Sequence, residues 1–255
     1  KNWIKINSSL NYSYTEIATH FNNGIYILRS DTRENFKYNI TNFNIQNKLV
    51  KNLIDTKPVV SAIWENDYEI YFTNNRGSIN LYSLDKNKSM DSIGIENYAL
   101  RGLSINNKSY AIFSSGETSY FGSFDKKIKT PIISKSIVKQ DSSSILIAGN
   151  RPSIENEISL VSYNVNTQQT KIIKNFKDYS IIENLKSNDK VIIGFIGNIK
   201  EAFTEYDLLY SLDRGKTWQI KKLEDPNYVR PSCLINNIVY IYSGGARMQK
   251  IVLLK

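Results

Sequence analysis

The chain has 255 residues, 41% of them hydrophobic, which is enough to build one domain with a buried core. It carries 33 lysines and arginines against 24 acidic residues, and the formal net charge of +9 indicates attraction to an anionic partner. The single cysteine, Cys233, excludes an intrachain disulfide, and no apolar run approaches the roughly 20 residues of a membrane span.

The composition favours strands, because the 17 tyrosines and 10 phenylalanines accompany many isoleucines and valines. Cys233 lies in an apolar run and is predicted to be a small buried hydrophobic residue, not a nucleophile. The chain starts at Lys1, directly on strand-like residues and without a methionine. We therefore expect that a leader or lipid anchor has been removed and that the protein is secreted or periplasmic.

In chain order, a polar turn followed by a β-rich run recurs along the sequence. The copies begin at residues 22, 66, 106, 142, 188 and 236. Asparagine or serine in the turn and isoleucine, valine or tyrosine in the run are typical of a hairpin that leads into a strand. A repeat of about 40 residues with several short strands indicates the blades of a β-propeller.

A second motif falls between the apolar run 207–210 and the alternating run 219–223. It consists of Ser211, Asp213, Gly215, Thr217 and Trp218. Serine and aspartate can bind backbone N–H groups inside a turn, glycine supplies a positive φ, and the tryptophan can cover the turn. Partial copies begin at residues 42, 83, 123 and 162, again at a spacing of about 40.

The pattern Ser-x-Asp-x-Gly-x-Thr-Trp resembles the Asp-box, or BNR repeat, of sialidases and many non-catalytic β-propellers. The resemblance implies a sialidase-like superfamily architecture. It also implies that the box is a structural turn, remote from the functional face.

We therefore predict an all-β chain that forms a single six-bladed β-propeller of four-stranded antiparallel blades over residues 1–255. The predicted blades are approximately 9–54, 55–96, 97–135, 136–176, 177–224, and 225–255 with 1–8. The N-terminal strand is assigned to the last blade because Lys1-x-Trp3 matches Lys216-x-Trp218. Pairing it there closes the ring and removes an open sheet edge.

Three connections between the second and third strands of a blade are predicted to be long loops, at 30–36, 150–157 and 197–206. Seven of the eight arginines are predicted to share the face that these loops form, which we call the loop face. They are Arg29, Arg33, Arg76, Arg101, Arg151, Arg230 and Arg247, whereas Arg214 lies on the box side with many lysines.

Arginine binds carboxylates in two-point contacts, so the loop face is predicted to bind an acidic protein partner. The alternative is that several of these arginines only hold loops in place, by pairing with Glu34, Glu155 and Glu157.

Resemblance to sialidases would also imply three arginines that clamp a substrate carboxylate, a Tyr–Glu nucleophile pair and an acidic acid/base residue. Only Arg101 and Arg230 can be assigned near a central site. Glu201 and Glu205 offer a carboxylate pair for glycoside hydrolysis, but solvation of a loop explains them more simply. His20 is the only histidine, so no histidine-based metal cluster is available, and no phosphate-binding glycine motif occurs. We predict no catalytic residue, cofactor or metal.

The predicted function is that of a non-catalytic binding protein that docks an acidic protein through the loop face. Small bacterial propellers that this chain resembles in architecture and size serve as immunity proteins, which inhibit secreted toxins. The alternatives are a carbohydrate-binding propeller and a sialidase-like glycan hydrolase. Nucleic-acid binding is not favoured, because the lysines form no dense patch in the sequence.

Overall fold

A computed structural model describes most of the chain in segments. They are residues 14–21, 24–31, 37–44, 46, 50–56, 60–65, 69–74, 79–83, 88–89, 98–115, 118–123, 126–200, 204–224, 230–243 and 247–253. Side chains are described at residues 46, 101–113, 118–123, 126–200, 204–224, 234–241 and 249–253. The chain divides into two compact units, an N-terminal unit of Lys1–Phe113 and a C-terminal unit of Ser114–Lys255.

The N-terminal unit contains two four-stranded antiparallel sheets of consecutive strands, β1-β2-β3-β4 and β5-β6-β7-β8. The first sheet consists of β1 (Tyr14–Phe21), β2 (Gly24–Asp31), β3 (Lys37–Asn44) and β4 (Val50–Thr56). The second consists of β5 (Val60–Glu65), β6 (Glu69–Asn74), β7 (Ile79–Ser83) and β8 (Lys88–Ser89).

The third sheet has the order β12-β11-β10-β9, and the boundary between the units falls within β10. Its strands are β9 (Tyr98–Ile105), β10 (Lys108–Ser115), β11 (Thr118–Gly122) and β12 (Lys127–Lys129). It follows the same consecutive antiparallel pattern as the first two sheets.

The C-terminal unit adds two four-stranded sheets, β13-β14-β15-β16 and β17-β18-β19-β20, and a three-stranded sheet, β21-β22-β23. The fourth sheet consists of β13 (Ile133–Lys139), β14 (Ser144–Asn150), β15 (Glu157–Asn164) and β16 (Gln169–Lys177). The fifth consists of β17 (Ile181–Ser187), β18 (Ile192–Ile199), β19 (Thr204–Ser211) and β20 (Gln219–Lys222). The sixth consists of β21 (Arg230–Ile235), β22 (Ile238–Ser243) and β23 (Arg247–Val252).

The prediction of an all-β chain with four-stranded antiparallel sheets is confirmed. All six runs that follow an Asn- or Ser-led turn are strands, namely β2, β6, β10, β14, β18 and β22. The turns close as their side chains predict: Asn188 Oδ1 accepts from Lys190 N and Val191 N at 3.0 and 2.9 Å. The N-terminal strand predicted within residues 1–8 lies outside the described residues.

The core of the C-terminal unit lies on both faces of β18, which is why its sequence is almost continuously apolar. Ile192 and Ile196 join one buried cluster with residues of the fourth sheet, such as Leu160. On the other face, Ile193 and Phe195 join a second cluster. Side chains alternate between the faces of a strand, so one strand serves two cores only when both of its faces are apolar.

The outermost strands of the fourth and fifth sheets are polar and exposed. In β16 only Phe176 is buried, and all four residues of β20 are exposed. In both sheets the connections between strands lie at two opposite ends of the strands. One end carries the box turn, and the other carries the loops of the predicted binding face.

Candidate functional site

The turn between β19 and β20 contains the complete box motif and is closed by its own side chains. Ser211 Oγ accepts from Gly215 N at 2.7 Å and donates to Asp213 Oδ1 at 2.8 Å. Asp213 also accepts from Thr217, through N at 2.9 Å and through Oγ1 at 2.6 Å. The motif residues therefore supply the acceptors that a tight reversal of the backbone requires.

Gly215 has a φ of +84°, in the region that favours glycine. A Cβ at this position would lie 3.2 Å from Trp218 Cζ2. The Trp218 indole donates to Gly215 O at 3.0 Å and packs against the core cluster that contains Ile192. Glycine at residue 215 thus permits both the turn and the close approach of the tryptophan.

The partial copy that begins at residue 162 retains the capping side chain. Asn164, which takes the position of Asp213, accepts from Asn166 N at 3.0 Å and Thr167 N at 2.9 Å. Ser162 no longer closes its own turn and donates to Gln140 Oε1 at 2.9 Å. The partial copies at 83 and 123 have turn residues outside the described part of the chain.

The box turn is fastened to its surroundings through Arg214. Its side chain donates to Asp189 O and its backbone N donates to Lys190 O, both in the β17–β18 turn. Its carbonyl accepts from Gln140 Nε2 at 3.0 Å, from the turn between β13 and β14. The turn therefore connects the fourth and fifth sheets. Gln140 was not predicted to take part in this contact, because it does not belong to the motif.

The pKa of Asp213 has two opposing causes. Partial burial raises it, but hydrogen bonds from Thr217, Ser211 and the backbone outweigh this effect and lower the pKa to about 2. The carboxylate is thus held in its charged form by the turn that it closes.

Replacing Asp213 with asparagine is expected to lower the free energy of unfolding by about 1 kcal/mol at neutral pH, with solvent screening limiting the effect. The folded pKa lies below the unfolded value, so this stabilisation is present above about pH 4 and is lost as the pH falls towards 2. Thermal melts of the wild type and Asp213→Asn should converge over that interval. Asp178→Asn, at an exposed carboxylate, is the control, and a difference in midpoint that does not change with pH would contradict this role.

The opposite strand ends carry the predicted loop face. Residues 151–156 form the loop between β14 and β15, where Arg151 Nη1 donates to Glu157 Oε1 at 3.0 Å. The Glu157 side chain is 8% exposed and that of Arg151 is 35% exposed. Arg151 is therefore held by one carboxylate while part of its side chain remains at the surface.

The predicted long loop at 197–206 is wrong. β18 continues to Ile199 and β19 begins at Thr204, with Asn198 paired to Glu205, so only residues 200–203 connect them. Polar side chains suggested a loop in the sequence, but two facing strands can place such side chains at an exposed sheet end. Glu205 pairs with Lys200 at 2.7 Å, and Glu201 lies outside the described residues.

A polar cavity of about 450 Å³ opens at this end of the fifth sheet. Asp207 is buried beside it and its Oδ2 accepts from Lys222 Nζ at 2.6 Å and Tyr179 OH at 3.1 Å. Burial and the Asp207 carboxylate raise the pKa of Tyr179, and the hydrogen bond to Asp207 raises the pKa of Lys222. Both groups keep their protons at neutral pH, so the cluster offers donors and acceptors for a polar ligand.

A Tyr–Glu pair that the sequence could not assign is present in the fifth sheet. Tyr206 OH donates to Glu183 Oε2 at 3.3 Å. Burial and the Glu183 carboxylate raise the pKa of Tyr206 to about 12. The phenol therefore stays protonated in this arrangement.

The predicted arginines occupy different structural contexts. Arg101 is exposed in β9 and Arg230 begins β21, so both lie in first strands as predicted. Arg29 lies in β2, two residues before its end, and Arg247 begins β23, so both are at strand ends that adjoin a connection between second and third strands. Arg33 and Arg76 lie outside the described residues.

Two further features are absent from the described part of the chain. No helix in these segments is long and apolar enough to cross a membrane. Among the same residues, no group of three or more histidine, cysteine, aspartate or glutamate side chains is placed to hold a metal ion. His20 lies in β1 and Cys233 in β21.

Comparison with solved structures assigns the chain to the β-propeller fold. The β-propeller domain of Cps50 (Swd1) from Myceliophteria thermophila matches with a TM-score of 0.55 and 12% identity, covering 98% of this chain and 90% of that chain. A chain of Kuenenia stuttgartiensis hydrazine synthase matches with a TM-score of 0.65 and 11% identity, covering 90% and 73%. A chain of the mitotic checkpoint complex matches with a TM-score of 0.65 and 10% identity, covering 95% and 75%.

At these identities the likeness concerns the fold alone. No family model and no curated protein matches the sequence. The function is therefore argued from the surfaces of this chain.

Proposed function

We propose that this β-propeller is a non-catalytic binding protein that docks an acidic protein partner through the arginine-bearing loop face. The observation that carries the proposal is the state of Arg151. Glu157 accepts from one nitrogen of its guanidinium and holds the side chain, which is 35% exposed, so the other nitrogens can donate to a carboxylate on a partner. Fixing the side chain before binding reduces the entropy that binding must overcome.

The fold and the charge of the chain support the same proposal. Propellers form part of protein assemblies, as in the mitotic checkpoint complex, whose chain resembles this one in fold. The net charge of +9 would steer an acidic partner towards the protein. We further propose that the partner is a secreted toxin which this protein inhibits, in a secreted or periplasmic location.

The number of blades and the closure of the ring are also part of the proposal. We infer six blades of the Asp-box type, with residues 1–8 completing the sheet β21-β22-β23 and closing the ring. The sheet β21-β22-β23 supports this placement because it has three described strands where each of the other five sheets has four. An experimental structure with another segment at the edge of that sheet, or with another number of blades, would overturn it.

The test is affinity capture from extracts of the source organism, with the full chain immobilised. The variant Arg151→Gln/Arg230→Glu/Arg247→Glu is expected to lose an acidic partner that the wild type retains. Glutamine is used at 151 because a second carboxylate would repel Glu157.

The matched control is Lys108→Gln/Lys139→Glu/Lys190→Glu, which changes the net charge by the same amount at exposed lysines on the strand ends opposite the loop face. It should retain the partner, and melting curves confirm that each variant is folded. Equal retention by wild type and arginine variant would contradict the proposal. So would a captured partner without acidic character.

The polar cavity at the end of the fifth sheet favours a second candidate, carbohydrate binding. Asp207, Tyr179 and Asn198 line the cavity and are side chains that bind hydroxyl groups. A glycan array distinguishes this candidate, because signals that persist in the arginine variant and disappear in Asp207→Asn would assign binding to the cavity.

A further inference from the structure

The outermost strands of the third, fourth and fifth sheets share a charge pattern. β12, β16 and β20 contain seven lysines and no acidic residue. We call these seven lysines the outer-strand lysine surface. They are Lys127, Lys129, Lys171, Lys174, Lys177, Lys221 and Lys222. Two further exposed lysines, Lys126 and Lys216, lie in the turns that precede β12 and β20.

Two lysines of β16 and β20 lie beside carboxylates, and both are near the loop face. Lys177 lies opposite Glu157 in the β15–β16 register, and Lys222 binds Asp207. The opposing residues of the other lysines are neutral, for example Ser162 opposite Lys171 and Leu208 opposite Lys221. The positive potential is therefore concentrated on the strand segments nearer the box turn.

On the loop side of the same sheets, the described acidic side chains outnumber the basic ones. The described basic side chains there are Lys135, Arg151, Lys177, Lys200 and Lys222. The described acidic side chains there are Glu155, Glu157, Asp178, Glu183, Glu205, Asp207 and Glu224. An anion that responds mainly to net charge would thus be drawn to the outer strands.

Lysines on edge strands also prevent edge-to-edge pairing of sheets, which is a structural reason for some of them. That reason alone does not require the absence of acidic residues, since other charged side chains on an edge strand also oppose pairing. The five lysines that lie opposite neutral residues, on three successive sheets, create a field that favours a polyanion.

The residue types on these strands select among polyanions. The three strands contain no arginine, and their one aromatic residue, Phe176, is buried, so they lack the usual means of reading or stacking nucleic-acid bases. Exposed Gln169, Asn175 and Gln219 can bind hydroxyl groups. Lysine ammonium groups on flexible stems suit charges spaced along a polymer.

The propeller fold itself disfavours a flat ligand. Its sheets are repeated radially, so the outer strands of successive sheets face in different directions. A bilayer would meet few of them at once, whereas a flexible chain can follow all three. We propose that the outer-strand lysine surface binds a linear acidic polysaccharide through its carboxylate or sulfate groups. This activity is independent of the loop face.

The test measures binding of two fluorescent probes to the full chain, a heparin oligosaccharide that carries sulfates and an oligogalacturonate that carries only carboxylates. The variant Lys171→Glu/Lys174→Glu/Lys221→Glu should weaken binding of at least one probe by about tenfold. Affinity should also fall as salt rises, because exposed charge pairs are screened. The probe that binds more tightly identifies the anionic group.

The triple variant Lys135→Glu/Lys139→Glu/Lys190→Glu has the same change in net charge and should bind both probes as the wild type does. Equal losses in the two triple variants would overturn the proposal, since net charge alone would then explain binding. Tighter binding of single-stranded DNA or of anionic vesicles than of either oligosaccharide would also overturn it. The arginine variant of the loop face should keep polysaccharide binding, so the two proposals can fail separately.

Discussion

Replacing Trp218 with alanine is expected to lower the free energy of unfolding by about 3 kcal/mol. The indole packs against the core cluster that includes Ile192 and Leu209, and its Nε1 donates to Gly215 O at 3.0 Å. Truncation would leave a cavity between the turn and the core and would expose a buried backbone segment to solvent. Part of the ring is exposed, so the loss should lie below that of a fully buried tryptophan.

Urea denaturation measures this effect, with an unchanged slope showing that both proteins unfold from comparable states. Trp218→Phe is the matched control, because it keeps most of the apolar contact and loses only the N–H donor. We expect it to cost about 1 kcal/mol. If alanine and phenylalanine had equal effects, the packing of the indole would not be what stabilises the turn.

Replacing Gly149 with alanine is expected to destabilise the fourth sheet by about 3 kcal/mol, a large value for overpacking. A Cβ at this residue would lie 2.1 Å from Ile133 O and 2.9 Å from Ser134 Cα, both backbone atoms of β13. Neither atom can move without separating β13 from β14 beside the irregular pairing between Ser134 and Ser136. The substitution should also displace the loop that carries Arg151.

Gly194→Ala supplies the comparison within the same unit. There the nearest atom to the new Cβ is Leu185 Cδ2 at 2.8 Å, the end of a flexible side chain. We expect a cost of about 1 kcal/mol, because the leucine can change rotamer. Thermal or chemical denaturation measures the loss of stability in both variants. Equal losses would show that the backbone contact at Gly149 does not cause the destabilisation.

Local patterns in the sequence were sufficient to predict the strands and the box turn. Ser211, Asp213 and Thr217 are close in sequence, and their hydrogen bonds run within one turn. The contacts that join separate sheets were not predictable in this way. Gln140 meets Arg214 across 74 residues, and neither residue belongs to a recurring pattern.

The candidate binding residues were less predictable than the fold. Arg151 was placed correctly beside a loop, but its partner could have been Glu155 or Glu157, and only the register of β15 selects Glu157. The cluster of Asp207, Tyr179 and Lys222 was missed because its members are 15 to 43 residues apart and look like ordinary surface residues. Strand ends are polar for many reasons, so polarity alone did not locate the end of β18.

The central claim is that the box turn fastens the fold, whereas binding occurs on other surfaces. Its most direct test is affinity capture with Asp213→Asn, at a temperature where this variant is fully folded. We expect the variant to retain the partner at the wild-type level although its melting midpoint is lower. Loss of the partner by a variant that melts at the wild-type temperature would contradict the claim and place the box turn in the binding site.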